Sequence, residues 1–315
     1  MIPPLADIEA ARGRIRDVAL RTPLVRLGFE GPAEIYLKLE NLQPIGSFKI
    51  RGAANAMARL SSKALARGVL TASAGNMAQG VAYCARRLGV PCTVVAPDTA
   101  SATKIAAIER LGGQVIRVPF DRWWQTFEER RYPGVDAAFI HAFDDPDVVA
   151  GNGTIGLEIL EDLGEVGAIV VPWGGGGLAC GIGAAVRALA PECRIYAAEA
   201  GTAAPLAAAL DAGEPRVVDY QPSFVDGIGS KTVFPSMFER ARPLLAGSLV
   251  ASLPEVAAAV RLLVERNHVV AEGAGACPVA CALSGQAGAG RVVCVVSGGN
   301  IDLERLRSLL VTEPA

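Results

Sequence analysis

Alternation constrains this chain most: short β-branched runs and Ala-rich stretches of helical length take turns through most of its 315 residues. Parallel strands need long crossovers, usually helices, and those helices bury both faces of the sheet. The pattern predicts strands at 34–39, 68–71, 92–96, 114–118, 168–171, 194–198 and 291–296. It predicts helices at 49–60, 76–88, 102–111, 122–131, 148–163, 178–190, 255–266 and 302–310. The fold class is α/β, doubly wound rather than barrel-like. Three strand–helix alternations between 68 and 144 read as a small domain inserted into a larger one made of 1–67 and 145–315. The stretch from Ala200 to Leu253 is rich in Pro and Gly and reads as a loop-rich insertion bordering a site.

Composition removes several classes of function. Hydrophobic residues make up 51% of the chain and charged residues 20%, enough apolar material for a large core. Net charge is −2, and Lys and Arg form no basic stripe, so nucleic acid is not an expected partner. No apolar run reaches about 18 residues, and the first residues are charged before a signal core can form. A cytoplasmic protein without membrane contact is expected. The seven cysteines are odd in number and show no CxxC spacing, so buried thiols are expected rather than disulfides or a metal site.

Four segments place chemistry-bearing residues where a turn or strand meets a helix. In Gly46-Ser47-Phe48-Lys49-Ile50-Arg51-Gly52, a lysine opens a helical stretch. The positive helix end and Arg51 are expected to lower its pKa towards the neutral amine of Schiff-base chemistry. On spacing alone a solvated surface lysine is the simpler reading of that segment. In Thr71-Ala72-Ser73-Ala74-Gly75-Asn76-Met77, the helix start offers free amides to an anion, or Ser73 and Asn76 form an ordinary cap. Trp173-Gly174-Gly175-Gly176-Gly177-Leu178 follows a strand and opens a helix, an arrangement that wraps closely around a phosphate. No Lys-Ser/Thr follows the glycines, which excludes a Walker A loop. Ser297-Gly298-Gly299-Asn300 ends the last strand, where α/β sheets present ligand-binding groups, although an ordinary strand-ending turn fits it as well.

Taken in order, the four segments resemble the fold-type II pyridoxal-phosphate enzymes, and in detail the bacterial threonine dehydratases. The likeness runs from Arg21-Thr22-Pro23-Leu24 to Asn300-Ile301-Asp302. It implies a two-lobed fold like that of the tryptophan synthase β subunit, with pyridoxal 5′-phosphate in the interlobe cleft, and a homodimer. By resemblance, Lys49 is the Schiff-base lysine and catalytic base, Phe48 packs beside the cofactor ring, and Asn76 bonds its 3′ oxygen. Gly174, Gly175, Gly176, Gly177 and Leu178 hold the phosphate, Ser297 faces the pyridine nitrogen, and Gly298 lets the flat ring approach. Glu272 is counted with these cofactor residues. Ser73, Ala74, Gly75, Asn76 and Met77 surround the substrate carboxylate.

The implied reaction is β-elimination of water from L-threonine or L-serine, giving 2-oxobutyrate or pyruvate and ammonia. Ile50-Arg51-Gly52-Ala53 and the tetraglycine loop match dehydratases rather than cysteine synthases. Serine racemases carry a second serine where this chain has Ala74, so racemisation is disfavoured. Glu199 is a weak candidate for a cation ligand, because Pro205 stands where a carboxylate is expected. Met77, where many dehydratases have His, and Glu272-Gly273-Ala274-Gly275 leave the substrate side chain open, with 3-phenylserine and 3-hydroxyaspartate as alternatives to threonine. Trp123 and Trp124 serve either in packing or against an aromatic substrate, with packing the simpler reading. His141 and His268 are read as structural. The chain ends soon after the final helix, so the regulatory domain of biosynthetic threonine dehydratases is not expected. From another class, a dinucleotide-binding oxidoreductase requires GxGxxG spacing, which Gly175, Gly177 and Gly181 do not supply. A catalytically silent cofactor-binding protein stays open.

Overall fold

The computed structural model describes residues 2–311. Ten strands form two sheets: β1 (Leu24–Arg26), β2 (Glu34–Leu39), β3 (Val69–Ala72), β4 (Cys92–Pro97), β5 (Gln114–Val118), β6 (Ala138–Phe139), β7 (Ala168–Pro172), β8 (Arg194–Ala200), β9 (Gly247–Ala251) and β10 (Arg291–Val296). The larger sheet has the order β1-β2-β10-β7-β8-β9, and the smaller has the order β5-β4-β3-β6. Every pairing is parallel except β1 with β2.

Burial on both faces explains why the central strands read as unbroken apolar runs. In β10, Val292, Cys294 and Val296 pack into one core, while Val293 and Val295 point into the other. Strand β7 divides the same way, Ala168 and Val170 against Ile169 and Val171. A third core lies under the smaller sheet. There Val69 and Val94 meet Ile50 and Met57 of the helix Lys49–Ala58 and Met77, Ala78 and Val81 of the helix Asn76–Leu88.

The seven expected strands and eight expected helices form with ends shifted by at most two residues, the usual scatter of fraying termini. The stretch 200–253 differs from its loop-rich reading: it holds the helices Pro205–Ala212 and Pro235–Ala241 as well as β9. Pro205 and Pro235 open these helices instead of breaking them, because the first helical residue needs no N–H partner. The helix Gly273–Leu283 also went unpredicted, since Gly and Pro278 argue against helix on propensity. Its residues from Gly273 to Ala282 are all buried, so tertiary packing overrides local preference. The helix Leu5–Ile15 and strands β1 and β6 likewise lie outside the expected elements.

The lysine helix is anchored by a buried ionic network. The Arg51 guanidinium bonds both oxygens of Glu40 at 2.8 Å, and it reaches Glu158 at 2.6 and 2.8 Å. Lys38 pairs with Glu158 at 2.6 Å, and Thr22 donates to Glu40 at 2.6 Å. Two carboxylates thus meet two cations with their lone pairs satisfied, which such deep burial demands. Arg51 is therefore spent on Glu40 and Glu158 and has no part in tuning Lys49, contrary to the expectation from sequence.

Candidate active site

The four segments meet. The Phe48 N–H donates to the Ser297 carbonyl at 3.0 Å, and the Gly299 N–H donates to the Gly46 carbonyl at 2.9 Å. Ser47 and Gly298 bridge the same two turns. The turn before the lysine is thereby stitched to the end of β10. Gly46 must be glycine: its φ is +69°, and a Cβ there would stand 2.8 Å from Asn300 Oδ1.

A cavity of about 700 Å³ opens at the carboxyl ends of β3, β7 and β10, lined among others by Phe48, Lys49, Ser73–Met77, Gly174–Leu178, Glu272 and Ser297. Of the residues expected to form the site, Gly298 alone does not line it. The structure gives Gly298 another purpose: a Cβ there would meet Glu272 Oε1 at 2.5 Å. The small residue makes room for the glutamate.

Two helix N-termini face this space. The helix Asn76–Leu88 is capped by Gly75 and the helix Gly177–Leu189 by Gly176, and neither has a side-chain cap. Their first N–H groups and helix dipoles are available to anionic groups. The tetraglycine loop is also tighter than its sequence required. A Cβ on Gly175 would stand 2.0 Å from Phe143 Cδ1, and one on Gly176, at φ +88°, 2.4 Å from the Trp173 ring. The loop is glycine at these two positions because aromatic rings occupy the space that side chains would need.

Lys49 is half-buried at the cavity wall and donates from Nζ to the Ala142 carbonyl at 2.8 Å. Loss of water lowers its pKa to about 8, partly countered by the carboxylate of Glu272. Glu272 is buried, and desolvation together with Asp226 raises its pKa to about 7. Asn76 holds it, donating from Nδ2 to Oε1 at 2.8 Å, while Asn76 Oδ1 accepts from Asn300 at 2.7 Å. One N–H of the Asn76 amide is left for a ligand among the described residues. Ser297 is buried in the protein and lines the cavity. Ser73 Oγ accepts from the Gly75 N–H at 3.2 Å, shaping the turn that precedes the helix start.

His141 is structural but close. Its Nδ1 accepts from the N–H groups of Phe143 and Asp144 at 3.2 and 2.8 Å, fixing the turn that presents the Ala142 carbonyl to Lys49. Burial lowers its pKa to about 3, so it stays neutral. His268 caps the helix Leu253–Asn267 at φ 57°, away from the cavity. Glu199 accepts from the N–H groups of Leu206 and Ala207 and from the Ser248 hydroxyl at 2.6–2.9 Å, so its oxygens face donors. Among the described residues no cluster of three His, Cys, Asp or Glu could hold a metal. All seven cysteines are free and buried. Among the described residues no helix is long and apolar enough to cross a membrane.

Sequence reasoning missed three features of the cavity: the Ala142 carbonyl, the Lys104–Asp226 pair at 2.5 Å, and an aromatic wall that includes Trp123 and Trp124. Backbone carbonyls leave no sequence signal, and the rings come from separated segments. The adjacent tryptophans were the only hint.

A desolvated lysine amine, two bare helix N-termini and a buried neutral hydroxyl in one cleft define a fold-type II site for an anionic, carbonyl-bearing cofactor. Residues 15–298 match the family described as "Pyridoxal-phosphate dependent enzyme", and the chain belongs to that family. Pyridoxal phosphate is its cofactor. The chain is 41% identical over 312 residues to an L-threonine ammonia-lyase of Thermotoga maritima, a match covering 97% of this chain and 78% of that one. Threonine deaminase isoform 2 of Solanum lycopersicum superimposes with a TM-score of 0.86 at 32% identity, covering 97% of this chain and 86% of that one. Maize serine racemase gives 0.87 at 29%, covering 98% and 97%.

Proposed function

We propose that the protein is an ammonia-lyase for β-hydroxy amino acids, converting L-threonine to 2-oxobutyrate and L-serine to pyruvate with release of ammonia. One observation carries the reading: the Lys49 amine, its pKa lowered by burial to about 8, shares a cleft with two uncapped helix N-termini and the neutral Ser297 hydroxyl. The likeness to threonine ammonia-lyases over nearly the whole chain supports the same reaction.

The residues fit the cofactor. The amides of Gly174–Gly177 and the helix they open would hold its phosphate, Lys49 its carbonyl carbon, and Ser297 its ring nitrogen. When bound, pyridoxal phosphate supplies a conjugated ring that accepts the electron pair left on Cα. The chain's own groups do the rest. The N–H groups around Asn76 and Met77 bind the substrate carboxylate and set Cα beside Lys49. Lys49, neutral in a substantial fraction near pH 8, removes the α-proton. Ala74 offers no proton, which disfavours racemisation. The Ser297 hydroxyl cannot hold a full charge on a ring nitrogen as a carboxylate does, which favours prompt loss of the β-hydroxyl over transamination.

The resemblance also supports a homodimer in the cytoplasm, and sedimentation of the holoenzyme measures the first. The decisive experiment is ammonia release from L-threonine and L-serine by the yellow holoenzyme, lost in Lys49→Ala. If the cofactor binds and no β-hydroxy amino acid yields ammonia, the reading is wrong.

A further inference from the structure

From the aromatic wall of the cleft we infer that this site takes β-hydroxy amino acids whose β-substituent is an aryl ring, 3-phenylserine being the simplest, in preference to threonine. The inference rests on the dehydratase reading and names its substrate class.

The wall is built from three separate segments. Phe120, Trp123, Trp124 and Phe127 come from the helix Phe120–Glu129, Phe143 from the turn after β6, and Phe234 from the start of the helix Pro235–Ala241. All six line the cavity. Their order runs from the chemistry outward. Phe143 follows the carbonyl that holds Lys49 and lies against Gly175. Phe143 meets Phe234 at 5.2 Å and Phe127 at 5.5 Å between ring centroids. Trp124 then meets Phe127 at 5.6 Å and Phe234 at 5.8 Å. Phe120, stacked at 6.5 Å on Trp124, is 56% exposed and stands at the mouth.

Rings at 4.5–7 Å in stacked and edge-on geometry form the surface against which a further ring packs well. A methyl group on Cβ reaches little of it. No carboxylate or guanidinium belongs to the wall; of the two other lysines that line the cavity, Lys104 is paired with Asp226 at 2.5 Å and Lys231 is exposed. An acidic β-substituent therefore finds no free buried cation there, which sets 3-hydroxyaspartate aside.

The reaction is the same and needs no added oxidant. The Cα–H and Cβ–OH bonds break and water leaves. The released enamine tautomerises to the imine, and water hydrolyses it to phenylpyruvate and ammonia.

The test compares the holoenzyme on L-threo-3-phenylserine, L-threonine and 3-hydroxyaspartate, following ammonia and the 2-oxo acid. A pocket distinguishing side chains by apolar contact separates them by tenfold or more. The expected result is a kcat/KM for phenylserine at least tenfold above that for threonine, and a ratio cut at least tenfold in Trp124→Ala and in Phe234→Ala. Binding is read independently by tryptophan fluorescence, with L-phenylalanine and L-2-aminobutyrate, which lack a leaving group. Phenylalanine should bind at least tenfold more tightly. Turnover of threonine with weaker turnover of phenylserine, or preference for 3-hydroxyaspartate, overturns the aryl assignment and leaves the dehydratase reading standing. If none of the three is turned over, the dehydratase reading falls, and equal binding of the two analogues then sinks the aryl pocket as well.

Discussion

Replacing Lys49 by methionine should make the cofactor-free protein more stable, even though it removes the residue proposed as the catalytic base. The ammonium is desolvated, and its pKa falls from 10.5 to about 8. At about 1.4 kcal/mol per pKa unit, this penalises the charged form by about 3 kcal/mol. The sign follows from proton binding: between pH 8 and 10.5 the unfolded chain binds the proton more tightly than the folded one, so this group's penalty grows as pH falls through that window. Below pH 8 the penalty is fully present, and above 10.5 it is gone. Methionine fills similar volume without the charge but forfeits the bond to the Ala142 carbonyl at 2.8 Å, a loss of about 1.5 kcal/mol. The net gain at pH 7 is about 1–2 kcal/mol, or roughly 2–4 °C in Tm for a chain of this size. Urea and thermal unfolding of both apoproteins at pH 7 and pH 10.5 measure it. The variant should be the more stable at pH 7, and the advantage should vanish at the higher pH. An unchanged or lower stability at pH 7, or a difference that ignores pH, refutes the claim that burial sets the state of this amine.

Other perturbations test the frame around it. Glu158→Gln leaves Arg51 and Lys38 facing one carboxylate fewer in a buried site and should destabilise by about 3–5 kcal/mol in urea unfolding; a loss below 1 kcal/mol would show that the network is hydrated. Gly175→Ala drives a methyl into Phe143, so pyridoxal phosphate affinity, titrated by visible absorbance, should fall at least a hundredfold; unchanged affinity would mean that the loop does not hold the phosphate. Ala74→Ser adds a hydroxyl beside the turn proposed to bind the substrate carboxylate and should give measurable D-serine from L-serine by chiral chromatography; its absence would show that the opposite face needs more than a proton donor.

Much of the architecture was legible because it is local. The apolar runs of β7 and β10 are written in consecutive residues, and the glycine, serine and asparagine positions that end strands carry their turn chemistry with them. Lys49 was different. As an isolated residue it fitted a solvated surface better than a cleft, and only the four segments together gave it a role. The helix Gly273–Leu283 and the helices within 200–253 were illegible because packing overrides weak propensity and proline can open a helix.

From the sequence alone follow the α/β layering, the four turns with their donor groups, and the family likeness they carry, because strand period, helix starts and backbone permissiveness act over a few residues. Only the tertiary structure decided what surrounds those turns. It assigned Arg51 to Glu40 and Glu158 instead of Lys49, gave Gly175 and Gly176 aromatic neighbours, and gathered rings from three segments into one wall. Burial and electrostatics are sums over residues far apart in the chain, so the lowered pKa of Lys49 and the aromatic character of its pocket exist only once the two sheets close on the cleft.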